Sequence, residues 1–266
     1  MVELRASTDI SLAELAGLFT AGYEGYYVPF AIEEPTLAYM VDVFDLDLAH
    51  SVIAVEDGTP VGLANLGRRD DGTWLGGAGV VRACRRAGVG ELLTRALLDR
   101  ARGVGAARMV LEVIVENTPA IALYEKLGFE KTRELEVISL GEAAETSGAA
   151  VEVPIEVARS LIAARRDWHE PWQRADGTLE KLLCRDPAPQ ALVSGDAAAI
   201  YRVEGGRVNL IQAAGGAGGL RALVATVRAN GPVTALNYPS GGPVAAVLAE
   251  AGGDVVLRQY EMAVAL

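Results

Sequence analysis

Cysteine and histidine are scarce in this chain of 266 residues: Cys84 and Cys184 stand far apart, and only His50 and His169 accompany them. Neither a disulfide framework nor a zinc-ligand spacing can be assembled from that set, so no metal is expected and the reading is a cytoplasmic protein. Basic charge is short as well. The 24 Lys and Arg residues against 35 Asp and Glu residues leave a formal net charge of -11, and no helix gathers a basic face. A general nucleic-acid binder or a binder of anionic membranes is thereby excluded. Apolar windows of about 18 residues are missing, and the opening "MVELRASTDI" is charged from the start, so neither a membrane span nor a signal peptide is expected.

What is present is apolar material. Hydrophobic residues make up 51% of the chain and charged residues 22%, enough to bury a core, and the length suits two domains of ordinary size. "VELRAS" reads as a strand, and Ser11 caps a helix in "SLAELAGLFTAGY". An aromatic and acidic loop, "EGYYVPF", leads into a second helix from about Pro35. Three strands of a meander follow in "SVIAVEDGTPVGLANLGRR" and "TWLGGAGVVRA". After "RRAGVG" comes the amphipathic helix "ELLTRALLDRARGVG", the strand "RMVLEVIVE", the short helix of "NTPAIALYEKLGF" and the strand "EKTRELEVISL". This order specifies a mixed α/β sheet.

Residues 141–150, "GEAAETSGAA", have the composition of a linker. Beyond it "QALVSGDAAAIYRVEGGRVNLIQAAG", "GLRALVATVRANG", "PVTALNYP", "GPVAAVLAEAGG" and "DVVLRQYEMAVAL" repeat the order of meander, helix, strand, helix, strand. An internal duplication accounts for it. The expected division is 1–140, a linker at 141–150, and 151–266.

The densest cationic stretch is "VRACRRAGVG", at a junction from strand to helix where backbone N–H groups and the helix dipole favour an anion. A dinucleotide loop would need a third glycine where Leu93 stands, and a P-loop would need Gly-Lys-Ser/Thr. The pattern left is Arg85-x-x-Gly88-x-Gly90 after an antiparallel meander, followed one strand and one helix later by Asn117, Ala120, Tyr124, Gly128 and Phe129. Residues 2–140 thus closely resemble the GCN5-related N-acetyltransferases (GNAT), with a degenerate GNAT-like copy in tandem.

The resemblance implies the acyl-CoA N-acyltransferase fold and acetyl-CoA as co-substrate, wedged between the strands "TWLGGAGVVRA" and "RMVLEVIVE". It implies cofactor contacts from Val81, Arg82, Ala83, Arg85, Arg86, Ala87, Gly88, Val89, Gly90, Asn117 and Ala120, with amides near Val81 facing the thioester oxygen. Asn117 can equally cap the following helix. Tyr124 matches the family's general acid toward the departing thiolate. Glu112, which interrupts an apolar strand, is the candidate base, with Glu116 and Glu24 as alternatives. Tyr23, Glu24, Tyr26, Tyr27 and Phe30 are expected to wall a small-molecule amine acceptor.

Two other functions fit the same motifs: an acyl-CoA sensor without catalysis, and an acetyltransferase of protein lysines or N-termini. In the second half, "QAAGGA" satisfies the loop pattern literally, but Leu248 replaces the tyrosine and cannot serve a thiolate. That half reads as non-catalytic, covering a sheet edge, shaping the pocket or forming a homodimer. Trp168 and Trp172 in "DWHEPWQR" read as packing at the domain junction.

Overall fold

The computed structural model describes residues 1–28, 31–142 and 150–266. The chain divides into two compact units, Met1–Thr132 with Glu261–Leu266, and Arg133–Tyr260. This division differs from the expected one at 140, because the boundary falls inside a strand and the last six residues return to the first unit. Most of the expected linker, residues 143–149, lies outside the described residues.

The first unit opens with β1 (Val2–Ala6) and α1 (Leu12–Gly22). Ser11 caps α1 through a capping box with Glu14, as its position before the apolar periodicity requires. Helix α2 (Glu34–Val43) carries Pro35 in its first turn, where a missing N–H costs nothing. The antiparallel meander β2 (Val52–Glu56), β3 (Thr59–Arg69) and β4 (Gly72–Val80) precedes α3 (Val89–Gly103), β5 (Arg108–Ile114) and α4 (Thr118–Lys126). Leu15, Phe19, Leu37, Ile53 and Leu63 form the core beneath α1 and α2.

β6 (Glu130–Leu140) starts in the first unit, but from Arg133 onward it belongs to the second. There Leu135–Leu140 pair antiparallel with β11 (Val233–Pro239). The other second-unit elements are β7 (Val151–Glu152), α5 (Ile155–Arg165), α6 (Asp176–Leu183), β8 (Gln190–Ser194), β9 (Ala197–Glu204), β10 (Arg207–Ala214), α7 (Ala217–Val227), α8 (Pro243–Glu250) and β12 (Asp254–Ala265). The succession β10, α7, β11, α8, β12 repeats β4, α3, β5, α4, β6. Among the described residues, no helix is long and apolar enough to cross a membrane.

One irregularity decides where a ligand can enter. Ala64 pairs with Ala78 and Leu66 with Leu75, so Gly76 and Gly77 together face the single residue Asn65. Such a bulge bends a strand. On its other side β4 pairs in parallel with β5 only at Thr73–Met109 and Trp74–Val110. Past the bulge the two strands have no shared ladder.

The bulge needs its glycines. Gly77 has φ +119°, and a Cβ there would lie 2.6 Å from the Phe19 ring. Replacement by valine combines backbone strain with overpacking, so Gly77→Val should lower the unfolding free energy by about 3 kcal/mol. Urea unfolding followed by circular dichroism measures it.

Candidate active site

Where β4 leaves β5, a cleft of about 540 Å³ opens, within the range of small-molecule sites. Its walls are Ala78–Val80 of β4, the loop and first turns of α3, the face of α4 bearing Tyr124, and the aromatic loop after α1. The helix α1 comes close enough to supply that loop because two glycines meet. A Cβ on Gly22 would lie 3.1 Å from the Gly79 backbone, and one on Gly79 equally close to Gly22.

Gly88, the residue preceding α3, has φ +82° and no side chain caps the helix. The first amides of a helix have no partner within it, so they remain available to an anion. Nothing lies within 4 Å of a Cβ built on Gly88, and Gly90 meets only Leu123 at 3.7 Å and Val80 at 3.9 Å. Both glycines and Arg86 line the cleft, and Arg86 itself adopts φ +64°. The loop thus has the shape of a diphosphate cradle.

Arg82, Ala83 and Ala87 are exposed and Val89 is buried, and none of the four lines the cleft. Val81 also differs from expectation. Its N–H donates to the Val61 carbonyl at 2.9 Å, so it is already engaged within the sheet. In an antiparallel ladder neighbouring residues bond to opposite sides, so Ala78 and Val80 turn their amides toward the cleft. Tyr23 engages the Ala78 backbone. Val80 is left as the donor at the splay, a residue that only the register identifies.

Tyr124 is 8% exposed, packs edge-on against Phe129 at 5.6 Å between ring centroids, and lines the cleft. Burial, then the nearby Tyr26, pushes its phenol above the ordinary tyrosine value, so it stays protonated at neutral pH. Burial also raises Tyr23, as do Tyr26 and Tyr124, against the opposing backbone bond at Ala78. Tyr26 is raised by burial and held back by its hydrogen bond with the Asn117 side chain. Asn117 takes the capping role, since its Oδ1 accepts the Ala120 N–H at 3.4 Å at the start of α4, and it also bonds Tyr26. Asn117 and Ala120 line the cleft too.

Of the acceptor residues, Tyr23, Tyr26 and Tyr27 line the cleft, while Glu24 does not. Phe30 lies outside the described residues. The rings form a chain, Tyr23 to Tyr26 at 4.8 Å and Tyr26 to Tyr27 at 5.5 Å, and the Tyr27 hydroxyl donates to the Glu116 carbonyl at 3.0 Å.

Glu112 is not brought into the cleft. Its Oε2 accepts the Trp74 indole N–H at 2.8 Å, at the end where β4 and β5 still pair. An acid in an apolar strand has found a buried partner, which explains its position without catalysis. Glu116 is likewise absent from the lining.

The second unit has the same parts with the space filled. β10 and β11 pair in parallel from Val208–Val233 to Leu210–Ala235 and then separate. Arg174 lies 3.5 Å over the Tyr238 ring, is ion-paired with Glu170, and receives the Gln212 side-chain amide on its carbonyl at 2.7 Å. At the start of α7, the Gly216 N–H already donates to the Asp196 carboxylate at 3.3 Å. Leu248 is fully buried in the apolar core. Trp172 is buried in the same unit, beside Arg174 in the chain.

Glu91, in the first turn of α3, bonds Lys126 of α4 at 2.6 Å and Arg95 at 2.9 Å, tying together the helices that flank the cleft. The Lys126 hydrogen bond, then that of Arg95, holds its carboxyl below the usual glutamate value. A folded value below the unfolded one gives stability present in full above the unfolded value of about 4.3 and lost as pH falls through the folded one. The gap in melting temperature between wild type and Glu91→Gln should therefore be steady near neutrality and close in acid, as thermal scans across pH would record.

Residues 17–129 match the family model described as "Acetyltransferase (GNAT) family". Over 51 residues, 19% of this chain, the sequence is 47% identical to the mycothiol acetyltransferase of Corynebacterium glutamicum, and the match spans 18% of that protein. A putative acetyltransferase from Pyrococcus horikoshii superposes with a TM-score of 0.70 at 17% identity, covering 100% of this chain and 89% of that one. A tandem GNAT protein from the clavulanic acid biosynthesis pathway superposes with a TM-score of 0.66 at 14% identity, covering 100% and 98%. The cleft, the loop at α3 and the stretch that matches the Acetyltransferase (GNAT) family model coincide in the first unit, in a chain whose fold is that of tandem GNAT structures.

Proposed function

We propose that this chain is an acetyl-CoA-dependent N-acetyltransferase that acetylates a primary amine of a small molecule, with its chemistry in the first unit alone. One observation carries the reading: the uncapped amides of α3, the Val80 amide and the Tyr124 side chain all border the same cleft. Acetyl-CoA, when bound, supplies an acetyl group activated as a thioester. Gly88, Gly90 and Arg86 would hold its diphosphate, and the strand ends around Val80 its pantetheine arm.

Val80 N–H would donate to an oxygen gaining negative charge in the thioester. Tyr124 keeps its proton because burial disfavours the phenolate. It therefore serves a departing thiolate by hydrogen bonding first, and by full transfer only as sulfur charge develops. Glu91 is the carboxylate among the described residues that line the cleft, and it is engaged with Lys126 and Arg95. The ammonium would lose its proton to water before attack, and Glu24 and Glu116, both exposed, are the alternative acceptors of that proton.

The bond from Tyr27 to the Glu116 carbonyl joins the aromatic loop to the start of α4, which favours a closed pocket and a small acceptor over an extended peptide. The second unit is proposed as non-catalytic, since Asp196 and Arg174 hold the places an acyl-CoA would need.

Calorimetry with acetyl-CoA should show one site per chain, removed by Gly90→Trp, which fills the cradle. A second site surviving that substitution would contradict the assignment of the second unit. Tyr124→Phe should leave binding in place and lower turnover by about 100-fold, as CoA release measures with any amine found to be a substrate. Unchanged turnover would remove the tyrosine from the mechanism.

A further inference from the structure

Arg85 is the arginine of the loop motif and lines the cleft, yet two of its three guanidinium nitrogens are engaged by protein carbonyls. Nε donates to the Val80 carbonyl at 2.9 Å, and Nη2 donates to the carbonyls of Gly22 at 3.0 Å and Glu24 at 2.8 Å. Those acceptors belong to the end of β4, the end of α1 and the aromatic loop. The last carbonyls of a helix lack partners within it and mark the negative end of its dipole. α1 has no basic residue in its own last turn, and Arg85 supplies one from 63 residues away. Arg86 shares no such bonds: among the described residues it makes no hydrogen bond or ion pair, and it is exposed on the cleft wall.

We propose that Arg85 is a positioning residue that couples the diphosphate loop to the aromatic loop, so that seating CoA fixes the acceptor wall before the amine enters. The proposal rests on the acyl-CoA reading of the cleft. Arg86 and the backbone amides hold the anion, and the neighbouring Arg85 carries the ordering of that loop to the carbonyls of residues 22 and 24. Tyr23, Tyr26 and Tyr27 lie on the segment so held. Its far end rests on the Glu116 carbonyl and the Asn117 side chain, next to the helix that bears Tyr124. A planar fork can span several carbonyls at once, which a lysine ammonium on a flexible stem does not reproduce. By linkage, an amine that orders the aromatic loop tightens CoA in return.

The test is hydrogen–deuterium exchange over residues 22–28 with and without CoA, together with calorimetric CoA affinity, for wild type, Arg85→Ala, Arg85→Lys and Arg86→Ala. Wild type should show CoA-dependent slowing of exchange in that segment. Both Arg85 variants should bind CoA within about threefold of wild type but lose most of the slowing. Arg86→Ala should lose about tenfold in affinity and still show the slowing once saturated. Arg85→Lys keeps the charge and guards against a folding defect in Arg85→Ala. Full slowing in either Arg85 variant overturns the coupling, as does a tenfold affinity loss in both, which would make Arg85 a phosphate ligand. CoA bound by wild type without any change in exchange overturns the coupling alone, whereas absence of CoA binding overturns the acyl-CoA reading and the coupling with it.

Discussion

β4 and β5 share a ladder over two residue pairs and then part, because the bulge at Gly76–Gly77 bends β4 while β5 runs on. A parallel sheet interior is ordinarily closed by its own hydrogen bonds, so a gap there leaves amides that must find other partners. The Ala78 amide side is met by Tyr23, and Val80 is left facing the cleft. The glycines do two tasks at once. Gly77 permits the bend, and Gly79 lets the end of α1 reach the sheet, which brings the aromatic loop over the opening.

An anion site in a chain with net charge -11 has to be local. In the proposed reading the backbone amides at the start of α3 would provide it without adding net charge, since the helix-dipole effect falls off within the first turn. The second unit shows the same arrangement satisfied from within. The Asp196 carboxylate accepts the N–H of Gly216, the residue before α7, and the Gln212 side chain bonds the Arg174 carbonyl beside β10. Each unit resolves the same need for hydrogen-bond partners, one with its own side chains and the other with a space open to a ligand.

Elements and their order were legible from short-range pattern. Ser11, Pro35, Gly88, Asn117 and Gly128 are punctuation whose meaning is local, and the helices and strands of the first half begin and end near them. Helices α5 and α6 were not identified in the sequence. Helix α5 is exposed over much of its surface, and α6 is only eight residues long, so each has a short apolar stripe. The glycine loop, Asn117, Ala120, Tyr124 and the tyrosines after α1 were identified as cleft residues, because motif spacing is a property of one strand, one turn and one helix.

The amino-acid sequence alone determined the tandem order of elements, the loop that can cradle an anion, and the loss of the tyrosine at Leu248. Tertiary structure decided which groups within reach of that loop are already engaged. Glu112 looked like an unpaired acid until Trp74, on a neighbouring strand, took its Oε2. Val81 looked like an oxyanion donor until the register with β3 assigned its amide to Val61. Arg85 reads in the sequence as a phosphate ligand, and in the structure its Nε and Nη2 bond three carbonyls of other elements while it lines the cleft. In each case the partner is distant in the chain, so the pairing follows from how strands register and helices pack, and no local pattern encodes it.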